Sequence, residues 1–332
     1  MEGDELEFAA FEGSILLEHV NRQRMLQHFA LARFLAMLGL DGLSYDDMLY
    51  ALTDAKLVVE DKQGGHRVKT VMALTCATGL ARYPALRDRG VAVVGYRGTD
   101  RSAARIDHGL LRRGYALDFA TATRCTAEWI DLQRYDVADG GKSPNADIPD
   151  AAIAAVMLNA IVHQDFALPG PRPQVSLYLD RIEISNAGLP LIPADRFIDG
   201  PREKRNPAFA RLMLNACTPE GEPQGMRRLM LAIEDAALPP PLFAAADGGT
   251  TVTLYPPRGF ADWTPEERVR ACLQHAQFRN RRHEAITAAS LGARLGLSEG
   301  AAEQVAAVIG ETLAAGLIKP CGEGEGYVPA YA

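Results

Sequence analysis

Asp180-Arg181-Ile182-Glu183-Ile184-Ser185-Asn186-Ala187-Gly188 is the stretch on which the fold reading turns. Val175 to Leu179 on one side of Asp180-Arg181, and Ile182 to Ser185 on the other, alternate apolar and polar positions. A period of two on both sides of a turn predicts a β-hairpin with one buried face. Its second strand runs directly into Asn186-Ala187-Gly188, so the hairpin delivers an amide and a glycine turn to one place. Upstream, Pro149 opens an alanine-rich segment, with Asp147 or Asp150 near its cap. Ile153, Val156, Met157, Ala160 and Ile161 recur there at helical spacing, and the segment from Leu168 to Pro173 breaks the helix. This helix carries Asn159 among apolar neighbours and ends in His163-Gln164-Asp165-Phe166.

An Asn on an apolar face needs partners, because a buried amide without hydrogen bonds costs roughly 1–3 kcal/mol. Spacing alone leaves two readings open: a structural Asn satisfied by its neighbours, or an Asn offered to a ligand. His163-Gln164-Asp165 is similarly open between a metal or acid–base pair and a tie from the helix end to the next loop. No third metal ligand lies close in sequence, and no Walker A loop, Gly-x-Ser-x-Gly or His-Glu-x-x-His motif is present.

The chain has 332 residues, a net charge of −7, 48% hydrophobic and 23% charged residues, which is globular usage sufficient for two or three domains. That excludes a disordered chain, a collagen and a small disulfide scaffold, and the acidic balance opposes coating of nucleic acid by charge alone. No apolar run approaches the roughly 20 residues of a membrane span, and the N-terminus is acidic where a signal peptide is basic. Five widely separated cysteines give no metal or redox motif and read as buried hydrophobes. Together these point to a cytosolic protein without a membrane partner.

Four segments are expected: an N-terminal helical segment (1–45), an α/β region (46–140), a core built on the hairpin and the Asn159 helix (141–258) and a C-terminal module (259–332). Residues 15–40 read as a helix, and Ser44 with Asp46 and Asp47 starts another ending near Leu57. Val91–Gly95 and Val252–Tyr255 read as strands, and the turn-rich residues 137–150 as a boundary loop. Thr264-Pro265-Glu266-Glu267 starts a helix over 265–277, followed by helices over 287–295 and 299–315 and a glycine-rich hairpin. That order is a winged helix-turn-helix.

The segment from about 46 to 258 resembles the ATP-binding RecG-helicase C-terminal-like family, a divergent branch of the GHKL (Bergerat) ATPases. In predicted transcriptional regulators this domain often stands between an AlbA/Schlafen-like domain and a winged helix. Asn159-Ala160-Ile161-Val162-His163, with Asp165 and Phe166, is similar to its Asn-box, and Asp180 to Gly188 to its adenine-side strand and turn. Thr70–Gly79 resembles the strand preceding the fold, and Tyr96–Asp100 a family turn. The resemblance implies an α/β fold, an α+β sandwich with a GHKL-like mixed sheet and helices on one face. It implies ATP with Mg²⁺ as cofactor, Asn159 as metal ligand, and Asn159, His163, Asn186, Gly188 and Gly225 as nucleotide-binding residues.

Departures from the family pattern matter equally. The family's general base, a Glu four residues before the box Asn, is Ala155 here, which accepts no proton. The glycine-x-glycine lid reads Pro223-Gln224-Gly225, Gln164 replaces an Arg, and residues 1–45 are expected to be a helical segment and not an AlbA-like domain. A degenerate site that senses nucleotide without turnover is therefore expected, with no catalytic residue assigned; His163 and Asp165 are the substitutes a working ATPase would need. From Thr264 onward there are seven basic and eight acidic residues, and the third helix of the module contains no Lys or Arg. For duplex DNA the candidate contacts are Arg279, Arg281, Arg282 and Gln304. The competing expectation is protein contact or self-association through Ala301, Ala302, Val305, Val308 and Ile309, a face that equally suits the module's own core. The sequence thus supports a regulator with an ATP-sensing core, or a pseudo-ATPase scaffold that binds neither ATP nor DNA.

Overall fold

The computed structural model describes residues 6–133, 142–168, 172–218, 220–222, 225–322 and 326–332. The N-terminal part contains α1 (Ala10–Gly13), β1 (Ile15–Val20), α2 (Arg22–His28), α3 (Leu31–Met37), α4 (Tyr45–Asp54), β2 (Val58–Glu60), β3 (His66–Lys69) and α5 (Thr70–Cys76). The central part contains β4 (Ala92–Tyr96), β5 (Arg105–Leu110), α6 (Tyr115–Leu132), α7 (Asp150–Val162), β6 (Gln174–Leu177), β7 (Ile182–Ala187), α8 (Pro207–Cys217), α9 (Met226–Asp235), β8 (Leu242–Ala246) and β9 (Gly249–Leu254). The C-terminal part contains α10 (Pro265–Asn280), α11 (Ala288–Arg294), α12 (Ala302–Ala314), β10 (Ile318–Pro320) and β11 (Tyr327–Pro329).

The expected hairpin is β6–β7, antiparallel with Leu177 opposite Ile182 and Val175 opposite Ile184. It sits in the middle of a six-stranded mixed sheet of order β5-β4-β6-β7-β9-β8, in which only β4 and β6 run parallel. Ile182 and Ile184 are buried and Glu183 and Ser185 are half-buried, the alternation read in the sequence. Helices α6 and α7 pack against this sheet, and α8 and α9 pack against α7. Nine of the thirteen residues of α7 are buried, so its face toward the core is nearly all round. Sheet and helices share one hydrophobic core that runs from Val20 to Leu254. The sheet crosses the boundary expected at 140, and the three-stranded sheet β1-β3-β2 crosses the one expected at 45. Part of the expected 137–150 loop lies outside the described residues.

Three expectations need correction. Residues 15–40 do not form one helix. Ile15–Val20 is a strand paired with β3, Asn21 then caps α2 by accepting from the Arg24 N–H at 2.9 Å, and Phe29 bridges to Ala77. Ile15-Leu16-Leu17 is a short continuous apolar run, which satisfies either period. Thr70–Cys76 is a helix and not a strand; all seven residues are buried, so no periodic face distinguishes it. Third, Val305, Val308 and Ile309 belong to the C-terminal unit's own core with Trp263, Leu291 and Ile318, so they are not a surface for self-association.

The C-terminal residues adopt the expected order of three helices and an antiparallel hairpin, with Ile286 bridging to Tyr327. Thr264 and Glu267 form a reciprocal capping box at the start of α10. Among the described residues no helix is long and apolar enough to cross a membrane. All five cysteines are free thiols, and burial pushes Cys76 up to about 12 and Cys272 to about 11.

Candidate functional site

The site starts at the C-terminal end of α7. Ala155, Asn159 and His163 lie at i, i+4 and i+8, and Leu158 and Val162 lie beside them, so one face of the helix presents all five. The Asp165 N–H donates to the Ala187 carbonyl at 2.9 Å, which fastens the exit of α7 to the end of β7. Asn206 completes the corner: its Nδ2 donates to the Val162 and Gln164 carbonyls at 3.0 and 2.8 Å, satisfying groups that the helix end leaves open.

This corner brings Asn159, His163 and Asn186 to the wall of one cavity of about 380 Å³, with Ala155, Phe197, Ala210, Gly225 and Thr250 also on the wall. The Asn186 Nδ2 donates to the Ala187 carbonyl at 3.0 Å, leaving Oδ1 as the free acceptor. Among the described residues, the half-buried Asn159 amide has no side-chain hydrogen-bond partner and lies on the cavity wall. Burial, followed by the nearby charges of Arg205 and Lys204, holds the His163 imidazole down at about 4, so it is neutral at pH 7.

Gly188 is not on the cavity wall. It has φ +103°, and a Cβ there would lie 2.7 Å from the Asp165 Cβ, so glycine is required by the turn and by the packing of Asp165. Asp165 itself accepts from Arg205 Nη1 and from the Ala167 N–H, each at 2.9 Å. It is thereby committed to positioning the turn and is not offered to the cavity. Gly225 reaches the cavity at φ +56° as the N-cap of α9; Pro223 and Gln224, the rest of the expected lid, lie outside the described residues.

The four residues expected to contact DNA are not gathered. Arg279 bonds Glu284 at 2.7 Å, Arg282 lies 3.9 Å from the same carboxylate, and Gln304 is exposed on α12. Arg281 instead lines the cavity. With Arg202, Lys204, Arg205 and Arg227 it makes a wall of five cations facing one acid, Glu203, in a chain of net charge −7. Arg205 and Arg227 stand in stretches adjoining the box motifs, but the contribution of Arg281 carries no local signal, because it arrives from a separate unit.

A Mg²⁺ ion accompanying polyphosphate takes oxygen ligands and keeps several waters, so one protein oxygen suffices. The unpartnered Asn159 Oδ1 fits that demand. Among the described residues no group of three or more His, Cys, Asp or Glu could hold a metal by itself.

The profile of the family described as "Putative ATP-dependent DNA helicase recG C-terminal", an ATPase-type domain, matches residues 170–254, the segment from just before β6 to the end of β9. A search of curated proteins returns no match. Among solved structures, the DIP2311 protein from Corynebacterium diphtheriae is similar at 17% identity and a TM-score of 0.49. That similarity covers 99% of this chain and 54% of the other, so this chain spans about half the length of that protein.

Proposed function

We propose that this protein binds a purine nucleoside triphosphate with Mg²⁺ and responds to it without hydrolysing it efficiently. The observation that carries this reading is the cavity shared by Asn159 and Asn186, two residues 27 positions apart that a turn-and-cap arrangement draws together. The free acceptor on Asn186 suits an exocyclic amino group of a base, and the cationic wall suits phosphates. Asn159 would hold Mg²⁺, whose charge would offset that of the phosphates. At the position of the missing base the Ala155 methyl lines the cavity and accepts no proton. His163 lies eight residues beyond Ala155, away from the position of the family's base, and Asp165 is paired with Arg205. Neither replaces a glutamate, which supports sensing over turnover.

In this reading the C-terminal unit is a winged-helix module that meets a protein partner. Its α12 exposes Glu303, Gln304, Ala306, Ala307, Gly310 and Glu311, a face without a cation, and Arg279 and Arg282 are engaged with Glu284. Duplex DNA binding draws heavily on phosphate neutralisation, which this face does not supply. Calorimetric titration tests the nucleotide reading. Mg-ATP should bind in the micromolar to sub-millimolar range, Asn186→Ala should weaken binding roughly threefold to tenfold, and phosphate release should stay at background. No heat at near-millimolar Mg-ATP ends the reading. Salt-dependent, sub-micromolar binding to duplex DNA would overturn the assignment of a protein partner.

A further inference from the structure

Helix α10 lies along the body and is held at intervals. Gln274 Nε2 donates to the Pro241 carbonyl at 2.9 Å, and His275 Nδ1 meets Glu234 Oε1 at 2.9 Å. One turn further, Gln277 Nε2 donates to the Asp195 carbonyl at 2.6 Å, and Phe278 packs with Ile198 and Met230. The helix ends at Arg281, its C-cap, whose Nη1 donates to the Ile198 carbonyl at 2.9 Å. That single bond leaves most of the guanidinium's five donors free at the cavity wall.

The charge around Arg281 is unbalanced. Partial burial and then the charge of Arg202 hold its pKa below the usual guanidinium value; Arg227 adds to this and Asp199 opposes it. Asp199 is already engaged by Arg196 at 3.0 Å and by the Tyr331 hydroxyl. Among the described residues, neither Arg202 nor Arg227 has a carboxylate partner. Three guanidinium groups thus line one space with a single carboxylate, Glu203, on the same wall, and an anion between them would remove the remaining repulsion and accept forked hydrogen bonds.

We infer that Arg281 is a ligand-binding residue that takes the polyphosphate end of the bound molecule together with Arg202 and Arg227, so that the site is shared between the central body and the C-terminal unit. This rests on the nucleotide reading above for the identity of the ligand, though not for its charge. Binding then tightens the seat of α10 on the body, and the hold of α10 in turn contributes to affinity.

Titrations of Mg-ATP, adenosine and inorganic tripolyphosphate into the wild type, Arg281→Gln and Arg281→Lys test this, with thermal melts to verify folding. Loss of a charge-assisted contact should weaken Mg-ATP and tripolyphosphate roughly tenfold to a hundredfold in Arg281→Gln, leave adenosine unchanged, and be partly recovered in Arg281→Lys. If the variant fails to fold, the Lys variant alone should show the selective loss of the two phosphorylated probes. Wild-type affinity for Mg-ATP in Arg281→Gln overturns the inference and leaves the nucleotide reading intact. An equal loss for all three probes also overturns it, because it marks a structural role. Tripolyphosphate binding that depends on Arg281, without ATP or adenosine binding, sustains the inference and ends the nucleotide reading. No binding of any probe ends both.

Discussion

Replacing Ala155 by glutamate should switch on phosphate release. Ala155 lies one helical turn before Asn159 on the same face of α7, 3% exposed, with its methyl on the cavity wall. A longer side chain at this position extends into the cavity of about 380 Å³ and not into packed core, so overpacking is avoided. The cations on the same wall favour the ionised carboxylate, the form that accepts a proton from water. A positioned general base contributes about 10²–10⁴ in rate, which at about 1.4 kcal/mol per decade lowers the barrier by roughly 3–5 kcal/mol. Ala155→Gln is the matched control, of equal size and unable to take the proton. Both variants should lose on the order of 1–3 kcal/mol of stability, since each places a polar group on a wall that is largely apolar. The assay is single-turnover release of phosphate from Mg-ATP, with affinity measured in parallel. Glutamate should exceed both glutamine and wild type by at least about a hundredfold. A glutamate variant that binds Mg-ATP as the wild type does, yet releases phosphate no faster than the glutamine variant, refutes the argument that turnover fails for want of a base.

Acidification should destabilise the protein through His163. Its folded pKa, about 4, lies below the ordinary 6.5, so between those values the unfolded chain binds more protons and stability falls as pH drops. From pH 7 to 5 the loss should be about 2 kcal/mol, read as a shift in the urea midpoint, and His163→Gln should flatten the profile; equal profiles would show that burial does not hold this ring neutral. Gly188→Ala should cost at least about 2 kcal/mol, because φ is +103° and the new Cβ lies 2.7 Å from that of Asp165; a neutral melting temperature would contradict that geometry. Glu12 is buried and accepts from the Ala208 and Phe209 N–H groups at 3.1 and 2.8 Å, capping α8 from nearly 200 residues away. Glu12→Ala should therefore lose about 1–2 kcal/mol in chemical unfolding and raise hydrogen exchange at the start of α8; unchanged exchange there would deny the cap.

The central hairpin and α7 were legible because their signals are local: a period of two on each side of a two-residue turn, and a helical period between a proline and a Leu-Pro-Gly break. The pairing of Asn159 with Asn186 rested on resemblance, and the structure supplies its physical cause in the Asp165–Ala187 bond and the Asn206 cap. Illegible features fall in two groups. β1 and α5 are short apolar segments whose state is decided by partners, β3 for one and complete burial for the other. Glu12 at α8 and Arg281 at the cavity act across 196 and 83 positions respectively, and no window along the chain contains both ends of either contact. A basic run such as Arg279 to Arg282 reads as one patch, but a helix terminus points successive side chains in different directions, toward Glu284 and toward the cavity.

The most direct measurement is a crystal structure of the protein with a non-hydrolysable Mg-ATP analogue at millimolar concentration. The account predicts a base edge against the Asn186 amide oxygen, the metal on Asn159 and phosphate oxygens toward Arg281. An analogue seated elsewhere, or turned so that neither asparagine touches it, would contradict the account.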